Sequence, residues 1–282
     1  QMPKLGQYQW MLDLPFFLYP NKEDARRGSK FGGTGFLVGI PFKNHPDTLY
    51  HIYGITNAHV ALGETRSGIL RFNTKEGGTE LFETTENDWY TIPGLYDIAV
   101  MPINFLKPGV HKVQPLMLSP DYPQNFYLSP DEIKEHEINA GDDVFMVGRF
   151  VDNDGSETNQ PSLRFGNISI LNAKVTHPLG YTGNSIVLDM RSRSGYSGSP
   201  VFVYRTHGSI FAKDQSIITG GHLMKLLGVH WWQYPEKWKV EGNVVTSPSG
   251  MTAIYPTTAI WKVLNIPELL MQRQQLESSC SV

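Results

Sequence analysis

Arg191–Tyr204 reads RSRSGYSGSPVFVY, a serine between glycines with a proline close behind and then an apolar run of β type. Two readings compete for it. Ser197 could be a nucleophile presented on a tight loop, or the stretch could be only a glycine-rich turn leading into a strand. Ser-Gly-Ser-Pro is ordinary turn chemistry ahead of a strand, so the stretch alone leaves both open. The decision comes from the rest of the chain.

The chain has 282 residues, 40% of them hydrophobic, enough for one large domain or two small ones with a real core. The formal net charge is -3, with acidic and basic residues interspersed. That balance gives no reason to expect a nucleic acid or an anionic membrane as partner. Cys280 is the single cysteine, so no disulfide framework holds the fold and a reducing compartment would do it no harm. No uninterrupted apolar run approaches the roughly 20 residues of a membrane-spanning helix. The N-terminus lacks the basic, apolar and small-residue succession of a signal peptide. Gln1 cannot initiate translation; read as an extra residue before a native Met2, it leads to the expectation of a cytoplasmic protein. A processed, secreted chain would look the same at this end.

Working outward from Ser197, short runs rich in Val, Ile, Phe and Tyr recur between Gly, Pro, Asn and Asp. They are FLVGIPF from Phe36, YHIYGIT from Tyr50, DIAVMPI from Asp97, DVFMVGRFV from Asp143, SIVLDM from Ser185, SPVFVY from Ser199 and LLGVHWW from Leu226. Such spacing predicts an all-β barrel or sandwich. The stretch from Asn104 to Ala140 has several prolines, the acidic patch DEIKEHE and little strand character, which suits a connection between two β halves. The end, PTTAIWKVLNIPELLMQRQQLES, offers a Thr cap and apolar residues at helical spacing, hence a C-terminal helix.

Some candidate motifs fail on their surroundings. The glycines of Gly32–Gly39, GGTGFLVG, lie inside a β run with no helix after them to receive a pyrophosphate, so a dinucleotide site is rejected. His136 stands among Glu132, Glu135 and Glu137 but has no second histidine at ligand spacing, and a solvated acidic face is the better reading. No metal and no cofactor is expected.

Two others point to chemistry. In Tyr53–Gly63, YGITNAHVALG, an apolar strand ends in Thr-Asn-Ala and delivers His59 where the chain turns. In Gly94–Ile103, GLYDIAVMPI, Asp97 opens an apolar strand, where a carboxylate without a partner would be costly to bury. A hydroxyl nucleophile needs a general base within hydrogen-bond reach, and that base needs a carboxylate on its other ring nitrogen. Each residue taken alone has a structural explanation: a capped turn for Ser197, a satisfied histidine for His59, a turn-initiating aspartate for Asp97. Together, in the order His, Asp, Ser within an all-β chain, they point one way.

With these residues in place the sequence resembles the trypsin-like (chymotrypsin-fold) serine peptidases, and more closely their disulfide-free branch of HtrA-type proteases and glutamyl endopeptidases. Thr56-Asn57-Ala58-His59-Val60 is similar to that branch's TNAHV box, Asp97-Ile98-Ala99-Val100 to its DIAV box, and Gly195-Tyr196-Ser197-Gly198-Ser199-Pro200 to its GNSGSP loop. Gly33-Thr34-Gly35-Phe36 matches the GSGF turn upstream. The resemblance implies two six-stranded antiparallel β-barrels with the site in the cleft between them and a C-terminal α-helix. On it, residues 1–30 are an N-terminal extension, 31–110 the first barrel with His59 and Asp97, 111–140 the connection, 141–256 the second barrel with Ser197, and 257–282 the helix and tail.

It also implies roles. Ser197 would be the nucleophile, His59 the general base and acid, Asp97 its orienting group, and the amides of Gly195 and Ser197 the oxyanion hole. Tyr196 departs from the pattern, since the branch commonly has Asn there and digestive trypsins Asp. In glutamyl endopeptidases a small hydroxyl residue and a histidine in a GIHW-like strand hold an acidic side chain; the matching positions are Ser192 and His230, with Trp231 beside them and Arg191 and Arg193 flanking Ser192. Trp232 and Gln233 stand where that branch has glycines, which would narrow the pocket. The expected activity is hydrolysis of a polypeptide substrate, with Glu or Asp before the scissile bond. The alternative is a retired protease fold serving as a peptide-binding or regulatory scaffold, and a regulatory protein partner is open on either reading.

Overall fold

The computed structural model describes residues 9–28, 32–122, 125–153, 155, 157–176, 182–205, 223–240 and 243–280. It is an all-β chain in two halves, closed off by helices at the C-terminus.

The first half is one sheet of seven strands, built from β1 (Pro15–Tyr19), β2 (Gly33–Pro41), β3 (Tyr50–Thr56), β4 (Ile69–Asn73), β5 (Thr79–Glu83), β6 (Ala99–Pro102) and β7 (Leu116–Met117). Its order is β5-β4-β1-β2-β3-β6, with the two-residue β7 pairing parallel to β2. The six-stranded count expected for this half is therefore corrected to seven strands. β7 is the member off that path, and β1 lies outside the expected bounds of the half: PFFLY falls in the segment read as an N-terminal extension, yet every residue is buried and the strand pairs with both β2 and β4. A short continuous apolar run with no alternation is the pattern of a strand covered on both faces.

The second half is a closed barrel of six strands in the order β10-β13-β12-β11-β8-β9. These are β8 (Asp143–Arg149), β9 (Pro161–Thr176), β10 (Thr182–Asp189), β11 (Pro200–Arg205), β12 (Leu223–Val240) and β13 (Asn243–Pro256). Val144 and Met146 of β8 and Val201 and Val203 of β11 share one face and one core cluster, while Phe145 and Phe202 stack on the other face, 5.0 Å between ring centres. Burying each such ring contributes roughly 1.5–3 kcal/mol.

One core cluster spans both halves, joining Phe36, Val38 and Ile55 of the first to Phe145, Val229, Trp231 and Tyr255 of the second. It fixes the two halves against each other and so positions the cleft. Short helices α1 (Lys22–Arg27) and α2 (Ala58–Leu62) follow β1 and β3, and the connection carries the short helix α3 (Pro130–Glu135), started by Ser129 in a reciprocal cap with Glu132. The single C-terminal helix expected from the sequence is two, α4 (Thr257–Leu264) and α5 (Pro267–Ser279). Pro267 opens α5 and holds Ile266 extended at φ -63°, ψ 153°, which ends the first helix. The Thr cap is also displaced: Pro256 occupies the cap position, and the Thr257 hydroxyl bonds the Leu226 carbonyl instead.

Candidate active site

β3 ends at Thr56, Asn57 follows, and His59 lies in the first turn of the short helix α2 (Ala58–Leu62), not at the strand's own end as the sequence suggested. Early backbone N–H groups of a helix lack internal partners. Asn57 makes no side-chain cap, and the His59 N–H instead donates to Asp97 Oδ1 at 2.8 Å. The other carboxylate oxygen, Oδ2, lies 2.6 Å from His59 Nδ1. Asn57 Nδ2 completes the clamp by donating to the Asp97 carbonyl at 2.8 Å. Asp97 stands just ahead of β6 and is buried, so the partner its burial demanded is His59. An ionised carboxylate only accepts, which places the ring proton on Nδ1 and leaves a lone pair on Nε2.

The Ser197 loop faces this pair across the cleft. Gly195 and Gly198 adopt φ 98° and 86°, and a Cβ on Gly198 would meet the Thr34 carbonyl oxygen at 2.1 Å. Only glycine fits such a position. Within the loop Tyr196 N donates to Arg193 O, Gly198 N to His230 O and Ser199 N to Tyr196 O. Among the described residues, the amides of Gly195 and Ser197 donate to nothing, although Gly195 is buried. Buried amides are nearly always paired, so the amide of buried Gly195 stands out, with that of half-buried Ser197 two residues on. No hydrogen bond among the described residues reaches the Ser197 hydroxyl, and none joins it to His59.

Tyr196 now has a physical account. Its ring is fully buried in the core of the second barrel, its hydroxyl meets that of Ser162 and accepts from Arg164 Nε at 3.2 Å. The Arg164 guanidinium lies 5.6 Å from the ring centre. The residue that breaks the sequence pattern anchors the loop to the barrel behind it.

His59, Ser197, His230, Trp232 and Gln233 line one cavity of about 240 Å³, together with Arg193, Ser194 and Trp231. Ser192 Oγ and His230 Nε2 are 3.0 Å apart and both residues are buried. His230 Nδ1 is buried without a partner. Burial, reinforced by the nearby His59, pulls the His230 imidazole down to about 3, so it is neutral near pH 7. Gln233 Nε2 donates to the Ser192 carbonyl at 2.9 Å and so narrows the floor of the cavity. Arg193 is exposed and pairs with Asp152 at 3.3 Å. Arg191 is exposed and does not line the cavity. Trp231 packs its indole flat on Tyr255, 4.6 Å between ring centres, and donates to Ser185 Oγ, so most of it serves the core.

The sequence missed Thr34, Asn57 and the bridging amide of Gln233. Asn57 and Thr34 fell within quoted motifs, but their hydrogen-bonding duties link segments far apart in the chain.

The fold is similar to the MamO protease domain from Magnetospirillum magneticum in its apo form, at TM-score 0.51 and 14% identity, covering 92% of this chain and 100% of that one. Weaker likenesses are to the Rv3671c protease of M. tuberculosis H37Rv in an inactive form (TM-score 0.48, 15% identity, 91% of this chain and 90% of that) and to the HtrA-type protease AlgW with a decapeptide (TM-score 0.45, 16% identity, 82% and 50%). No curated protein matches the sequence. The family model of the trypsin-like peptidase domain matches residues 33–212, more than half of the chain, and the chain belongs to that family.

Proposed function

We propose that the chain is a serine endopeptidase with Ser197 as nucleophile, His59 as general base and acid, and Asp97 as its orienting group. The observation that carries this reading is the conjunction of a carboxylate-bound imidazole lining the same cavity as Ser197 with a Ser197 loop in which the Gly195 and Ser197 amides have no acceptor among the described residues. In the reaction Ser197 Oγ attacks the peptide carbonyl carbon while His59 Nε2 takes the hydroxyl proton. The carbonyl oxygen becomes an oxyanion held by the N–H groups of Gly195 and Ser197. His59 then gives its proton to the leaving amine, the C–N bond breaks, and an acyl ester remains on Ser197. Water, deprotonated by His59, attacks that ester and releases the acid. Asp97 stabilises the imidazolium formed in both halves.

The acidic preference rests on Ser192 and His230. His230 lines the cavity, and buried Ser192, which does not, meets its Nε2 through the hydroxyl. Since His230 is neutral at rest, an incoming carboxylate has to draw a proton onto the ring or be held by hydrogen bonds alone. Selectivity for Glu over the isosteric Gln therefore rises as pH falls.

A second reading, a peptide-binding scaffold on a retired protease fold, is favoured by one observation, the missing hydrogen bond between Ser197 and His59. Catalytic hydrogen bonds in unliganded enzymes are often long and tighten only with substrate. Cleavage of an unfolded polypeptide by the wild type and by Ser197→Ala separates the two readings. Endopeptidase activity abolished by the substitution, with thermal unfolding unchanged, supports the first; equal activity, or none in either, removes it.

A further inference from the structure

Thr34 on β2 spends all of its polar groups on the two sides of the cleft. Its N–H donates to the Ser197 carbonyl at 2.9 Å and its hydroxyl donates to the Gly195 carbonyl at 2.6 Å. The same hydroxyl accepts from Arg149 N at 2.9 Å, on the strand behind the loop. Its own carbonyl accepts from Thr56 Oγ1 at 2.7 Å, at the end of the strand that leads to His59. Thr34 is fully buried. The pattern is selective: the two residues whose carbonyls Thr34 holds, Gly195 and Ser197, are the two whose amides are unpaired. A carbonyl held in place limits rotation of its residue, so holding both limits how far either amide can turn.

We propose that Thr34 is a positioning residue that keeps the Gly195–Ser197 loop set to receive an oxyanion, bracing it from the sheet that carries His59. This rests on the endopeptidase reading for its purpose but not for its structural content. Unlike a cap contributed from within the loop, the brace comes from the opposite side of the cleft, and it couples the loop to the histidine through Thr56.

Thr34→Val keeps the branched shape and deletes the hydroxyl, while Thr34→Ser keeps the hydroxyl. Amide hydrogen exchange of residues 193–198, read by mass spectrometry, should quicken at least about tenfold in the Val variant with β13 unaffected. Labelling of Ser197 by a fluorophosphonate should slow about 100-fold, the loss typical of one oxyanion donor. The Ser variant should stay within about threefold of wild type in both readouts. Exchange and labelling in the Val variant within threefold of wild type overturn the proposal. So does a Ser variant as impaired as the Val one, a comparison that Thr34→Ala supplies if the Val variant does not fold. A wild type that resists labelling defeats the endopeptidase reading, and the exchange comparison then decides the role of Thr34 by itself.

Discussion

Two histidines line one small cavity and are built for opposite ends. His59 sits at the cleft mouth with about a third of its side chain exposed and a carboxylate on Nδ1. His230 lies buried on a strand with only a serine hydroxyl on Nε2 and nothing on Nδ1. In the first environment, a carboxylate stands at Nδ1 and orients the ring. The second forbids an imidazolium near neutrality, because desolvation is uncompensated. On the proposed reading the same side chain serves as a proton carrier in one place and a neutral hydrogen-bonding wall in the other. Partner and burial decide which.

Removing either member of the first pair should break this contrast most. His59→Ala is expected to lower kcat by about 10⁶, as loss of the base in such a triad does. Asp97→Asn should cost about 10⁴ while leaving the geometry intact, since an amide can hold the ring in the wrong tautomer. Both are read from steady-state hydrolysis beside thermal unfolding curves. A fall below tenfold in either would place the proton transfer elsewhere.

Changes on the second histidine's side should alter choice and not chemistry. Ser192→Ala should shift the ratio of kcat/KM for Glu against Gln before the scissile bond by about tenfold, with fluorophosphonate labelling unchanged. A variant that loses labelling and keeps the ratio would move Ser192 from the pocket to the machinery.

The contrast also predicts an acid limit. The unfolded chain protonates its histidine near 6.5, whereas folded His230 stays neutral down to about 3. Between those values the unfolded state binds more protons, so stability is full above about pH 6.5 and is lost as pH falls toward 3. His51, buried beside Glu277 and also held below its ordinary value by burial, acts in the same direction. Denaturant midpoints across this range should flatten in His230→Gln relative to wild type. An unchanged slope would assign the acid sensitivity to other groups.

The smallest effect belongs to the anchor behind the loop. Tyr196→Phe removes the hydroxyl shared with Ser162 and Arg164 and should cost about 1–2 kcal/mol in denaturant unfolding. A neutral result would mean that the buried ring alone fixes the loop.

Much of this was readable before the structure. Each of the seven apolar runs picked out from the sequence overlaps a strand, because runs rich in Val, Ile, Phe and Tyr between turn residues mark strands locally. Phe16 and Phe17 of β1 escaped although their strand is as fully buried as most of β2, because they lie in the segment assigned to an N-terminal extension. β9 and β13 also escaped, being long ribbons with many polar residues. His59 and Asp97 were legible as types in motifs, but the helix that carries His59 is too short to show periodicity. Thr34 could not be read at all as a brace, since Gly195 lies 161 positions away in sequence and no local pattern reports such a contact. Gln233 bridging to Ser192 was hidden for the same reason.

The central claim is that Ser197 is an activated nucleophile served by His59 and two loop amides. Its most direct test is intact-protein and peptide mass spectrometry after treatment with a fluorophosphonate at neutral pH. The account predicts one adduct, located on Ser197, and none on Ser197→Ala or His59→Ala. Absence of an adduct on folded wild-type protein, or one that survives Ser197→Ala, would contradict it.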